Sequence, residues 1–206
     1  MCKLKFSKDD SNLKFVPLSF PLKNKIFICG AGGKSSLARS IQEKHGNVHI
    51  ELDACKFLPN WKERTVEEFR DFTVEKIKDS QGRWVIEGNY TEKLGNLILK
   101  DSKLIIWLDL SWEVVFWRIF LRSIRRCFTK QTVCGGNHET WRQFFSRDSI
   151  CWYYISRRFR ILKGHREFLQ LVPLEIPILR ISNARQLRSF YKIHELNLIR
   201  ENQLSN

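Results

Sequence analysis

The stretch KIFICGAGGKSSLARSIQEKHG, residues 25–46, decides the fold that we expect for this chain. It opens with an apolar run at 26–29 that ends at a glycine, which predicts a short buried strand. Its second half has apolar residues at helical spacing and Gly46 as a stop signal, which predicts a helix. A strand, a glycine-rich turn and a helix in this order indicate a parallel α/β domain.

The turn inside this stretch has the residue types that hold phosphate groups. Because glycine has no Cβ, backbone N–H groups can approach phosphate oxygens, and the helix N-terminus adds a partial positive charge. The Lys34 ammonium would reach the β- and γ-phosphates, and the Ser35 hydroxyl would join a magnesium shell. We therefore predict a site for ATP and Mg²⁺ on seven consecutive residues: Gly30, Ala31, Gly32, Gly33, Lys34, Ser35 and Ser36.

The loop is a shortened variant of the standard phosphate loop. The strict pattern has a glycine five residues before the glycine of Gly-Lys-Ser, and this chain has Ile28 at that position. The alternative is a strand–helix turn that needs glycine only for its backbone. Three glycines in four residues, followed by Lys-Ser, favour phosphate binding over that alternative.

Further apolar runs alternate with helical patterns along the rest of the chain. They lie at 48–52, 84–86, 104–108 and 176–181. Strands that are apolar throughout and alternate with helices predict a parallel sheet of about five strands in a three-layer α/β/α fold. Residues 1–24 would form an irregular N-terminal arm, and residues 25–206 one domain with a basic helical lid at about 112–165.

The composition indicates an anionic partner. The 206 residues include 36 lysines and arginines against 22 aspartates and glutamates, a net charge of +14, which suits phosphates, nucleic acid or an acidic lipid surface. No apolar run approaches the roughly 18–20 residues of a membrane span, and the first twenty residues lack a secretory h-region. Six scattered cysteines indicate reduced thiols, so we predict a cytoplasmic protein with no membrane partner.

Five blocks in register resemble one known family. The blocks are GAGGKSSLAR, HIELDACKFLPNW, WVIEGNY, IIWLDL, and WRIFLRSIRR followed by SRDS, between about residues 25 and 154. They resemble the adenylate-kinase-like P-loop proteins often labelled DNA topology modulation protein, which are relatives of nucleoside monophosphate and shikimate kinases. The resemblance implies a P-loop nucleoside kinase fold and ATP-dependent phosphoryl transfer. This family usually has a longer loop and an aspartate where Glu87 stands.

Polar residues follow the second and third predicted strands, at the edge where α/β proteins bind ligands. Asp53 would orient the acceptor, as an acidic residue does in the related kinases, or accept its proton; otherwise it caps a turn. Glu87 would hold magnesium through water or contact substrate together with Asn89. Trp61 would form a stacking wall for a planar acceptor, although such a tryptophan is more often part of a core.

A stripe of arginines follows the fourth strand. Arg118, Arg122, Arg125 and Arg126 share one helical face and have no acidic residue three or four positions away. The resemblance places this region at the entry to a lid, so Arg118 and Arg122 are expected to be catalytic groups that grip the transferred phosphate. A solvated face is the alternative. Arg147, beside an aspartate, would contact substrate or form a local ion pair.

Three hypotheses about function follow from these residues. The first is a magnesium-dependent kinase that transfers the γ-phosphate of ATP to a small molecule, with a nucleoside monophosphate suggested by the resemblance. The second is a nucleic-acid-associated ATPase or polynucleotide kinase, favoured by the charge and by a lid that is rich in aromatic and basic residues. The third is a nucleotide-binding protein without catalysis, favoured by the shortened loop.

Overall fold

A parallel sheet of six strands forms the centre of the molecule. The computed structural model describes residues 13–94, 96–147, 149–157, 164, 167–168 and 171–198. The strands of the sheet are β1 (Phe15–Val16), β2 (Lys25–Gly30), β3 (Val48–Glu51), β4 (Trp84–Glu87), β5 (Leu104–Leu108) and β8 (Ile178–Ile181). Their order is β1-β8-β5-β2-β4-β3, and every neighbouring pair is parallel. All six carboxyl ends therefore lie along one edge.

Helices cover both faces of this sheet. In the described part of the chain they are α1 (Lys34–His45), α2 (Leu52–Lys56), α3 (Val66–Asp79), α4 (Thr91–Leu94), α5 (Asn96–Leu99), α6 (Trp112–Thr129), α7 (Trp141–Phe144), α8 (Ile150–Ser156) and α9 (Ala184–Ile193). Buried side chains of α1 and α9 pack on one face, and those of α3, α4 and α5 pack on the other. The predicted three-layer α/β/α fold with a parallel sheet is confirmed.

Local signals explain where the main helices begin and end. Gly46 ends α1 in the left-handed conformation and donates its N–H to the Gln42 carbonyl. Thr65 and Glu68 form a capping box at the start of α3, as their spacing predicts. Asn183 caps α9 by accepting a hydrogen bond from the Gln186 N–H.

The structure differs from the sequence-based prediction at three places. Within the predicted arm, Phe15–Val16 forms a strand that pairs with β8. The strand predicted at 48–52 ends at Glu51, so Asp53 lies in the first turn of α2 rather than at a strand end. The lid is not wholly helical, because strands β6 (Thr132–Val133) and β7 (Asn137–His138) form an antiparallel hairpin between α6 and α7.

The lid has a small core of its own beside the glycine loop. Val115 and Ile119 of α6 pack there against Ala31 and Cys151. This contact fixes the base of α6 close to the loop. Among the described residues, no helix combines the length and apolar character needed to cross a bilayer.

Candidate active site at the carboxyl edge of the sheet

Gly30 fixes the start of the glycine loop against the end of β5. Its φ is +95°, and a Cβ at this position would lie 2.2 Å from the Leu108 carbonyl oxygen. The next amide, that of Ala31, donates to the same oxygen at 3.3 Å. A side chain at position 30 would therefore push the loop away from the sheet, which explains why glycine is required there.

Asn89 holds the same glycine from the other side. Its Oδ1 accepts from the Gly30 N–H at 3.1 Å, and its Nδ2 donates to the Gly30 carbonyl at 2.9 Å. The sequence-based prediction placed Asn89 among the substrate-binding residues. Both ends of its amide group bond to the loop backbone, so Asn89 holds the glycine loop in place, and its predicted contact with substrate stays a prediction.

The N-terminus of α1 opens from this loop without a side-chain cap. Gly32 and Gly33 have φ values of +81° and +142°, and in the described part of the chain the N-cap at Gly33 forms no side-chain cap hydrogen bond. The first N–H groups of a helix have no intrahelical partner, and they carry the positive end of the helix dipole. The predicted loop thus leads into a helix N-terminus whose first N–H groups would favour an anion.

Ser35, Lys34 and Glu87 meet just behind the loop. The Ser35 hydroxyl donates to Glu87 Oε1 at 2.6 Å, and Lys34 Nζ lies 3.9 Å from Glu87 Oε2. Glu87 is only 2% exposed. Burial works to raise the pKa of Glu87, but His49, Lys34 and Ser35 outweigh it, so the pKa lies below its usual value. Burial works to lower the pKa of Lys34, but Glu87, Tyr154 and Asp53 together outweigh it, so that pKa is raised. Both groups are therefore charged at neutral pH.

His49 is a neighbour of Glu87 that the sequence analysis missed. Its Nε2 lies 3.8 Å from Glu87 Oε1 and has no hydrogen-bond partner among the described residues. The period of two in β3 could have indicated this contact, because it places His49 and Glu51 on the same face of the sheet. Glu51 is paired in register with Glu87 of β4.

A second acidic group lies where β3 passes into α2. Glu51, Asp53 and Cys134 place their carboxylate and thiol ligand atoms within 4.8 Å of one another. The Tyr90 hydroxyl donates to Asp53 Oδ1 at 2.5 Å. Burial, with Asp53 and Glu51 nearby, raises the pKa of Cys134 to about 12, so its thiol is neutral. Tyr90 and Cys134 were not among the predicted site residues.

Glu51 supplies a prediction for the stability of this acidic group. Burial and the neighbouring Glu87 and Asp53 carboxylates raise its pKa. The charged form of Glu51 is therefore disfavoured in the folded protein. This costs no stability at low pH, where Glu51 is protonated, and the cost grows as the pH rises through the raised pKa. We expect Glu51→Gln to raise Tm by a few degrees at about pH 7 and to change it little at about pH 4. Thermal unfolding at both pH values measures this, and an equal gain at both would contradict it.

The arginine stripe is divided between the loop and the lid. The Arg118 guanidinium donates to the Gly32 carbonyl. Arg122 is half-buried, and its positive charge works to lower the pKa of Lys34. Its Nε has no hydrogen-bond partner in the described part of the chain. Arg126 pairs with Glu139 at 2.8 Å, a partner from the hairpin that helical spacing does not reveal. The expectation of an unpaired stripe is therefore corrected at Arg126, and Arg118 and Arg122 are the two that face the loop.

Trp61 and Arg147 are the two remaining residues that were predicted to contact substrate. Trp61 packs edge-on against Phe57, at 5.6 Å between ring centroids, and lines a cleft of about 620 Å³ between the turn at 59–61 and the lid. Arg147 is exposed, and the aspartate proposed as its ion-pair partner, Asp148, lies outside the described residues. Trp61 thus lies beside the region predicted as a lid, and the roles of Trp61 and Arg147 toward a substrate stay predictions.

Comparisons with known proteins assign the chain to no family. No protein-family model matches the chain, and no curated protein does. Among solved structures, the chain is similar to a gluconokinase from Sinorhizobium meliloti 1021, with 16% identity and a TM-score of 0.46. The alignment covers 83% of this chain and 89% of that chain. The resemblance to the DNA topology modulation proteins stays a prediction.

Proposed function

We propose that this protein is an adenylate-kinase-like small-molecule kinase of the cytoplasm, which transfers the γ-phosphate of ATP to a hydroxyl or phosphate of its acceptor. A nucleoside monophosphate is the first candidate acceptor, suggested by the sequence resemblance. One observation carries the proposal. An uncapped helix N-terminus, a half-buried Lys34 and the Ser35–Glu87 hydrogen bond meet at the carboxyl edge of a parallel sheet.

The phosphate end of the nucleotide would lie along residues 30–36. The first N–H groups of α1 would donate to phosphate oxygens, and Lys34 would contact the β- and γ-phosphates. Arg118 and Arg122 lie on the α6 face that borders the loop, and they would neutralise the charge that spreads over the equatorial oxygens during transfer.

The oxygen groups at this edge fit a magnesium ion. Ser35 offers a hydroxyl and Glu87 a charged carboxylate, and hard divalent cations prefer such oxygen ligands. Ser35 would bind the ion directly and Glu87 would hold it through water. When bound, the ion would offset negative charge on the β- and γ-phosphates.

Asp53 would act on the acceptor. An acceptor oxygen, from a hydroxyl or a phosphate, would attack the γ-phosphorus, the bond from that phosphorus to the β–γ bridging oxygen would break, and ADP would leave. Asp53 would orient the acceptor, and the proton of a hydroxyl acceptor would pass to an Asp53 carboxylate oxygen, while the Tyr90 hydroxyl holds Oδ1 in place. Trp61 would form a wall beside a planar acceptor.

An acceptor screen tests this function directly. Labelled ATP at fixed Mg²⁺ concentration would be incubated with mononucleotides, small hydroxylated metabolites and oligonucleotide 5′ ends. We expect transfer to one class of small molecule. ATP binding without transfer to any acceptor would instead favour the third hypothesis, a nucleotide-binding protein that lacks catalysis.

A second candidate, a polynucleotide kinase or nucleic-acid-associated ATPase, is favoured by the lid surface. Residues 111–166 hold twelve lysines and arginines against three acids. In the described part of this segment, the exposed charged residues are the acid Glu113 and four cations: Lys130, Arg142, Arg147 and Arg157. Exposed aromatic side chains lie among them: Trp117, Phe128, Trp141, Phe145, Trp152 and Tyr153. Stacking rings with interspersed cations suit single-stranded nucleic acid.

Salt dependence separates the two candidates. A nucleic-acid enzyme should lose affinity for a single-stranded oligonucleotide by tenfold or more between about 50 and 200 mM salt. Phe145→Ala, at the most exposed of these rings, should weaken that binding by about tenfold, because one base loses its stacking partner. Lys44→Ala, on α1 outside the lid, is the control. Absence of oligonucleotide binding at low salt would remove this candidate.

A further inference from the structure

One buried side chain forms hydrogen bonds between the hairpin of β6 and β7, called the lid hairpin below, and the turn at 57–61, which includes residues 59–61 described above. Asn137, the first residue of β7, is 3% exposed. Its Nδ2 donates to the Leu58 carbonyl at 2.9 Å and to the Cys134 carbonyl at 2.7 Å. Its Oδ1 accepts from the Trp61 N–H at 2.8 Å. Two of these three bonds connect the lid to the turn that carries the proposed acceptor wall.

Close contact between backbones accompanies this bond. Gly135 has a φ of +74°, and a Cβ there would lie 2.5 Å from the Phe57 carbonyl oxygen. Glycine is therefore what allows the hairpin to approach the turn. Gly136, the next residue, has a φ of +97°, but a Cβ there would meet nothing within 4 Å.

The backbone of the turn at 57–61 has an unfavourable conformation that contacts from other parts of the chain must stabilise. Asn60 and Trp61 have φ values of 60° and 57°, a region that residues other than glycine rarely adopt. Such conformations persist where surrounding contacts determine them. Since the Trp61 N–H bonds to Asn137, the lid supplies one of these contacts.

The same hairpin also reaches the acceptor acid. Cys134 Sγ lies within 4.8 Å of ligand oxygens of Asp53 and Glu51. One lid segment, residues 134–137, thus contacts the turn that carries Trp61 and the acid that would receive the acceptor proton.

We propose that Asn137 is a positioning residue that couples the lid to the acceptor side, so that Trp61 takes its place beside the acceptor only while the hairpin is docked. Its effect on the acceptor rests on the proposed kinase function, whereas its effect on the turn does not. Opening of the lid would release the Trp61 N–H and let the turn relax from its left-handed conformation.

Hydrogen exchange of the full-length protein tests the coupling without an acceptor. Asn137→Ala should raise exchange at the Trp61 amide by about tenfold or more, because its acceptor oxygen is lost. Asn47→Ala is the matched control: Asn47 is 2% exposed and donates to the Asn24 carbonyl at 2.9 Å. It should leave exchange at Trp61 unchanged. Unchanged exchange in Asn137→Ala, or an equal rise in both variants, would overturn the proposal.

A second pair of variants decides the matter if Asn137→Ala does not fold. Gly135→Ala would push the hairpin from Phe57, whereas Gly136→Ala imposes a similar backbone strain in the same hairpin without that clash. We expect faster exchange in a peptide spanning 57–63 for Gly135→Ala alone. Equal exchange in the two alanine variants would show that the hairpin does not hold the turn.

Steady-state kinetics then connect the turn to the acceptor. With the acceptor found by the screen, Asn137→Ala should raise its KM by about tenfold and change the KM for ATP by less than about twofold. Asn47→Ala should change neither. An equal rise in both KM values would contradict a role on the acceptor side. If no acceptor exists, the kinase proposal fails while the exchange experiment still decides the coupling.

Discussion

Replacing Lys34 by alanine is expected to lower phosphoryl transfer by about 10²–10³-fold, the usual loss when one charged stabiliser of a transition state is removed. The Lys34 side chain is 16% exposed, and its Nζ lies 3.9 Å from Glu87 Oε2. The variant would also leave the Glu87 carboxylate buried without its nearest cation, so ATP binding and stability should both fall. Steady-state turnover and calorimetric titration with ATP measure the two effects.

Lys25→Ala is the matched control for this experiment. Lys25 begins the same strand that leads into the loop, but its Nζ pairs with Asp101 at 2.6 Å, at the opposite end of β2. It should lower stability slightly and leave turnover within about twofold of the wild-type value. Turnover that is the same in Lys34→Ala and the wild type would show that the loop lysine takes no part in the reaction.

The second large effect is expected at Asp53. Asp53→Asn keeps the shape of the side chain and an oxygen that can accept the Tyr90 hydrogen bond, but it removes the charge that would take a proton. Loss of a general base costs about 10²–10⁴-fold, so turnover should fall by that factor. ATP affinity should change little, because the phosphate loop does not include this residue.

Asp109→Asn controls for the loss of a carboxylate at the same sheet edge. Asp109 follows β5 and accepts a hydrogen bond from Arg180 Nε at 2.8 Å. Its amide variant should lower Tm and keep transfer activity. If Asp53→Asn retained full turnover, or if both variants lost activity equally, a specific role for Asp53 on the acceptor would be excluded.

The architecture was predictable because its signals are local. Apolar runs of strand length, each followed by a glycine or a polar residue, give five of the six strands. The capping box at Thr65 and the glycine at position 46 mark helix ends through contacts within a few residues. Strand β1 was missed because Phe15–Val16 is two residues long, and its pairing partner Ile178 is far away in the sequence.

The composition of the site was less predictable than its location. The order of strand, glycines, Lys34 and Ser35 indicated the loop directly. The bond between Asn89 and Gly30 joins residues 59 positions apart, and the pair of Arg126 with Glu139 depends on how the hairpin folds back on α6. Such partners come together only in the tertiary structure, and the spacing of residues in one sequence does not show them.

Calorimetric titration of the wild-type protein with ATP, in the presence and absence of Mg²⁺, tests the central claim most directly. We expect one molecule of ATP to bind per chain, with a dissociation constant between about 1 μM and 1 mM when Mg²⁺ is present. Affinity should be weaker without the ion, because Ser35 and Glu87 would then hold no cation against the phosphates. Titrations without heat for ATP and other nucleoside triphosphates, at temperatures that rule out a zero binding enthalpy, would contradict the claim that residues 30–36 bind a nucleotide.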